Sequence, residues 1–184
     1  MHQEIQRIMI EKDMRQLFEQ RLPEQIRRYL EFRPHQIIAN QYFSAVSAEC
    51  IELFREGHFY GCIALTQAMA EALVKFLCRK NGWRPNKVFE RNVEKLLKRT
   101  FISDSASRCL LQIWNKRDDY HHLNANIETD RRKLEPLAME RVKFLNEVEA
   151  EIFHYTFVNG KIKPTLPQYW DKDGDKVGVW LRCE

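Results

Sequence analysis

Several kinds of feature are scarce in this 184-residue chain, and each scarcity removes a class of protein. Its 5 cysteines (Cys50, Cys62, Cys78, Cys109 and Cys183) never fall in a C-x-x-C pair, which excludes the usual zinc and dithiol motifs. Four of them sit among apolar residues in predicted helices, where a free cysteine acts as a small hydrophobe. With only 6 glycines and 6 prolines there is no low-complexity linker, and no internal repeat is visible. No apolar run approaches the roughly 18–20 residues of a membrane span. The opening Met1-His2-Gln3-Glu4-Ile5-Gln6 lacks a basic flank before an apolar core, so a cytoplasmic protein with no membrane partner is expected.

What remains is the profile of a folded domain: 44% hydrophobic, 30% charged, net charge +4. The charge is unevenly spread. Between Arg79 and Arg99 lie Arg79, Lys80, Arg84, Lys87, Arg91, Lys95, Lys98 and Arg99 against only Glu90 and Glu94. Such a run is either a solvated helix face or a surface for a phosphate backbone.

Apolar spacings of three and four predict an all-α, antiparallel helical bundle with four to five core helices. Residues 1–34 read as an N-terminal extension of extra helices, the second starting after Pro23 and ended by Pro34. The bundle spans 35–157. One helix is expected from His35 to Glu56, stopped by Gly57, and another from about Phe59 to Lys80, closed by Asn81-Gly82. A third follows Asn86 to about Arg99. A fourth is capped by Ser103 or Ser105 and carries Leu110, Leu111, Ile113 and Trp114. The last starts at Thr129 or Asp130 and runs to about Phe157, kinked at Pro136 and stopped by Asn159-Gly160. Residues 158–184 form a tail, a β-hairpin around an Asp-Gly turn or a segment laid on the bundle. Asp171, Asp173 and Asp175 have calcium-loop spacing, but Lys176 stands where that loop needs glycine and Arg182 where it needs glutamate.

The densest polar stretch is Asn115-Lys116-Arg117-Asp118-Asp119-Tyr120-His121-His122-Leu123-Asn124, expected as the continuation of the fourth helix. At about 100° per residue, Arg117 shares a face with His121, and Asp118 with His122. Asp118 can then orient His122 across one turn. Arg117 offers a permanent planar charge for phosphate oxygens, and a histidine can move a proton at neutral pH. Together they suit metal-free RNA cleavage: an imidazole takes the ribose 2′-hydroxyl proton and the arginine steadies the phosphorane. Plainer readings stand beside this one. Adjacent histidines diverge on a helix and make a poor metal site. The cluster also fits a helix C-terminus whose cations meet the dipole, or a surface salt-bridge network.

Arg117 to His122 matches the R-x4-H pattern of the HEPN superfamily (higher eukaryotes and prokaryotes nucleotide-binding domains), with a polar residue directly after the arginine. The hairpin from Ala48 to Gly82, carrying Phe59-Tyr60-Gly61-Cys62-Ile63-Ala64-Leu65-Thr66-Gln67, resembles the first two core helices of that family. The motif then closes a later helix and precedes one long helix, in the family order. The resemblance covers residues 35–157. It implies a metal-independent ribonuclease, a toxin or anti-phage effector, needing no cofactor, in which two protomers join their motifs over an RNA substrate. Arg117 and His122 are then the catalytic pair and Asp118 the orienting residue. Helix geometry instead makes His121 the nearer partner of Arg117. Expected RNA contacts are Asn115, Lys116 and Tyr120 in the cluster, with Lys95 and Arg99 from the basic run. The family also implies an antitoxin partner, in one branch a nucleotidyltransferase acting on a tyrosine two residues after the motif histidine; Asn124 stands there in this chain. A homodimer is expected on physical grounds too, since Arg117 and His122 lie about 140° apart around a helix and one copy grips a phosphate poorly. The alternative is a non-catalytic module of the same kind that binds nucleotide, RNA or a partner protein.

Overall fold

The computed structural model describes residues 2–125, 127–173 and 176–182, and they form a mainly helical bundle. Its centre is α3 (Phe59–Lys80), with α2 (Ser44–Glu56), α4 (Phe89–Lys98), α5 (Asp104–Trp114), α6 (Arg117–His122) and α7 (Arg131–Ile152) packed around it. Cys62, Ile63, Ala70, Leu73, Val74 and Leu77 of α3 are fully enclosed. By length and mean hydropathy α3 is apolar enough to cross a membrane, which inspection for unbroken apolar runs misses. In this fold its apolar sides are covered by the other helices.

The α2–α3 hairpin turns on Gly57 at φ 79°, a left-handed conformation that costs glycine little. A Cβ there would also stand 3.2 Å from the Arg28 guanidinium. Cys50, Cys62, Cys78 and Cys109 are buried free thiols, and burial pushes the Cys62 thiol up to about 12. Cys183 lies outside the described residues.

Three expected boundaries are corrected. The N-terminal extension is one helix, α1 (His2–Glu31), continuous through Pro23. The carbonyl that the proline leaves unpaired belongs to the exposed Glu19, where water can satisfy it. Residues 35–43 are not helical: Ile37–Ala39 form β1, and α2 begins only at Ser44, whose hydroxyl donates to the Ala39 carbonyl at 2.8 Å. The last helix ends at Ile152, and Asn159-Gly160 is instead the tip of a hairpin between β2 (Tyr155–Val158) and β3 (Lys161–Pro164). Both tip residues have positive φ, as a two-residue hairpin turn requires. The expected tail hairpin is present among the described residues in short form, β4 (Lys172–Asp173) against β5 (Lys176–Val177), with residues 174 and 175 of its turn outside the described residues.

The tail is also tied into the bundle. β6 (Val179–Leu181) pairs antiparallel with β1, Ile38 opposite Trp180, and Tyr169 and Trp170 enter the common core. Arg182 then reaches inward. It pairs with Glu149 of α7, donates to the Ser47 hydroxyl at 2.6 Å and donates to the His35 carbonyl at 3.0 Å. Ser47 donates to the same carboxylate at 2.6 Å. Both ions are almost wholly enclosed. Ser47 and the His35 carbonyl meet part of the pair's remaining hydrogen-bonding capacity, which offsets its burial, while the Arg182 Nε is enclosed with no hydrogen-bond partner.

Candidate functional site

Ser103 starts α5, its hydroxyl accepting from the Ala106 amide at 3.1 Å. The helix does not run on into the polar cluster, contrary to expectation. It stops at Trp114, Asn115 is extended, and Lys116 turns left-handed at φ 58°. The cluster then forms its own six-residue helix, α6. Two buried side chains hold the break. Gln67 of α3 donates to the carbonyls of Ile113 and Asn115 at 3.1 and 3.4 Å, and Arg141 of α7 donates to that of Gln112. The end of α5 leaves the Ile113 and Asn115 carbonyls without helical partners, while that of Gln112 also accepts from the Asn115 amide at 3.2 Å. Neither residue was singled out from sequence, although an amide and an arginine at buried phases of apolar helices are the available signal.

Tyr120 anchors α6. It is buried, 6.3 Å from Tyr60 ring to ring, and burial raises its hydroxyl pKa. It is therefore not placed to meet RNA, which corrects that expectation. Aiming Tyr120 inward sends Asp118 and His122, on the opposite side of the helix, out to solvent. Leu123 ends α6 at φ 50°, and Asn124 closes the turn by donating to the Asp118 carbonyl and the Asp119 carboxylate, both at 3.3 Å.

Arg117 opens α6 half-buried. Its guanidinium lies 5.0 Å from the Trp114 ring centre, and Trp114 in turn stacks on Phe89 at 4.1 Å. Its Nη1 donates to Asp118 at 3.1 Å, while its Nε is enclosed with no hydrogen-bond partner. Asp118 is thus engaged by Arg117, not by His122; the expected Asp118–His122 bond does not form. His121 rests against the Ala64 backbone of α3, and this partial burial, followed by the Arg117 charge, lowers its pKa. The neutral imidazole is accordingly favoured at pH 7.

A groove of about 620 Å³ runs along Phe89, Trp114 and Arg117, with Asn115, Lys116 and Lys87 at its edges. Neither histidine lines it. Lys87 also borders a second groove of about 550 Å³, which carries Lys75, Arg79 and Arg84. The basic run therefore divides. Arg79, Arg84 and Lys87 face these grooves, whereas Lys95 and Arg99 stand over Trp83, at 4.3 and 5.4 Å from its ring centre. Lys95 and Arg99, two of the expected RNA contacts, are thus not among the side chains that line the groove of the motif. Among the described residues no three histidine, cysteine or acidic side chains converge to hold a metal ion.

No protein-family model matches the chain, and neither a curated protein nor a solved structure matches it.

Proposed function

We propose that this protein is a metal-independent endoribonuclease of HEPN type, working as a homodimer in a toxin or anti-phage role. The observation that carries the reading is α6 itself: one short helix holds Arg117, His121 and His122, and Arg117 opens onto a groove continued by basic side chains through Lys87. Phosphates tracking along Arg84, Lys87 and Lys116 would bring one phosphodiester to Arg117. An imidazole removes the 2′-hydroxyl proton, and O2′ attacks the adjacent phosphorus. The P–O5′ bond breaks, the leaving 5′-oxygen takes up a proton from the imidazolium so formed or from water, and a 2′,3′-cyclic phosphate remains. Arg117 neutralises the charge that builds on the phosphoryl oxygens. His121, its pKa lowered by partial burial and then by the Arg117 charge, is suited to accept a proton; His122 faces solvent, where a phosphodiester of RNA held by a second protomer can reach it.

The second reading, a non-catalytic module for nucleotide, RNA or a partner protein such as an antitoxin or nucleotidyltransferase, draws on two observations. Arg117 is already paired with Asp118, and the histidines stand off the groove. Incubating purified wild type, Arg117→Ala and His122→Ala with RNA in EDTA separates the two. The nuclease reading requires that wild type cuts and both variants lose at least about a hundredfold in rate. It fails if wild type is inert or if the variants cut equally well.

A further inference from the structure

Residues 3–21 of α1 are exposed on every side, for the helix meets the bundle only through its C-terminal third. There Gln25 donates to Glu56 at 2.6 Å, and Arg28 donates to the Arg55 carbonyl at 3.1 Å. The projecting part is not polar. Ile5, Ile8, Ile10, Met14, Leu17 and Phe18 are between 50% and 66% exposed. Ile10, Met14, Phe18 and Leu22 recur every four residues as one ridge, beside the line of the buried Gln25 and Arg28. Helices in proteins draw most of their stability from packing an apolar face, which this half of α1 does not do within its own chain, and an exposed apolar surface of this kind marks an interface.

Charge selects what covers it. Over His2–Glu31 there are six acidic and six basic side chains, so the chain's surplus of +4 lies entirely outside α1. A nucleic acid or an anionic membrane calls for a basic face, which this helix lacks. A second α1 matches it. With two copies antiparallel across a two-fold axis near Asp13 and Met14, the apolar ridges interdigitate. Glu11 of each copy then falls beside Arg15 of the other, extending the Glu11–Arg15 pair already formed within the helix at 2.7 Å.

We infer that the projecting half of α1 is a self-association arm that joins two copies of this chain. This surface shares no residue with the Arg117 groove, and the inference rests on the homodimer of the proposed function in supplying one contact that joins two copies. Because its test reads mass and not RNA cleavage, a dimer that does not cut and a monomer that does tell the two ideas apart. The 184-residue wild-type chain should sediment at twice its mass of 22.2 kDa at micromolar concentration. The triple variant Ile10→Gln, Met14→Gln, Phe18→Gln should sediment as one chain while keeping the thermal transition of the bundle. Glu11→Arg alone and Arg15→Glu alone should each self-associate more weakly by severalfold, and an equimolar mixture should restore the dimer. That restoration is inaccessible to a residue acting only within its own helix. A monomeric wild type, a triple variant that stays dimeric, or a monomer that floats with lipid vesicles would overturn the inference.

Discussion

Gln67, fully enclosed on α3, donates through Nε2 to the Ile113 carbonyl at 3.1 Å and so fixes the point at which α5 gives way to α6. Without that contact the chain from Asn115 onward has little to set its direction, since Lys116 is exposed and α6 holds to the core chiefly through Tyr120. Gln67→Leu keeps the apolar volume and removes the donor. It leaves two carbonyls unmatched and should destabilise the protein by about 1–3 kcal/mol in denaturant unfolding. Amide exchange should rise across residues 115–123 more than across α2. Unchanged protection in that segment would mean that Gln67 does not position α6.

How much of this could be read from the sequence differs by element. Gly57, Asn81-Gly82, Ser103 and Asp130 behave as helix punctuation should, because a cap is a local interaction between residues a few positions apart. β1 was illegible for the opposite reason. Ile38 and Tyr42 have helical spacing, and only pairing with Trp180, far along the chain, makes that stretch a strand. Asn159-Gly160 was ambiguous, since the same dipeptide ends helices and turns hairpins. At the site, the cluster of Arg117, Asp118, His121 and His122 was visible as composition. The break before it was not, because the Gln67 and Arg141 contacts that hold it come from two distant helices.

The buried Arg182–Glu149 pair makes a second, independent claim on stability. Glu149→Ala strands an enclosed guanidinium with Ser47 and the His35 carbonyl as its remaining partners, and should cost about 3–5 kcal/mol in urea unfolding. The double change Glu149→Leu with Arg182→Met removes both charges and should cost markedly less. Equal losses in the single and double variants would show that the tail, not the charge balance, carries the effect.

Two imidazoles set the dependence on mild acid. Burial, then the Arg182 charge, lowers the pKa of His35; burial, then Arg117, lowers that of His121. For each, the unfolded chain titrates near about 6.5 and binds the proton more readily than the folded one. Their contribution is complete above that value and is lost as pH falls through it towards the folded values. The melting temperature should therefore drop between pH 7 and pH 5, ahead of any carboxylate titration, and the drop should shrink in His35→Gln. A flat profile over that interval would contradict the assignment.

The proposed chemistry rests on one oxygen, and replacing it is the most direct test. Purified protein in EDTA is given an RNA oligonucleotide and its 2′-O-methyl counterpart, and the ends of any products are identified by mass. Attack by O2′ predicts cutting of the unmodified strand alone, leaving 2′,3′-cyclic phosphate and 5′-hydroxyl ends, with Arg117→Ala inactive. Cleavage of the 2′-O-methyl strand, 3′-hydroxyl and 5′-phosphate ends, or full activity without Arg117 would contradict it.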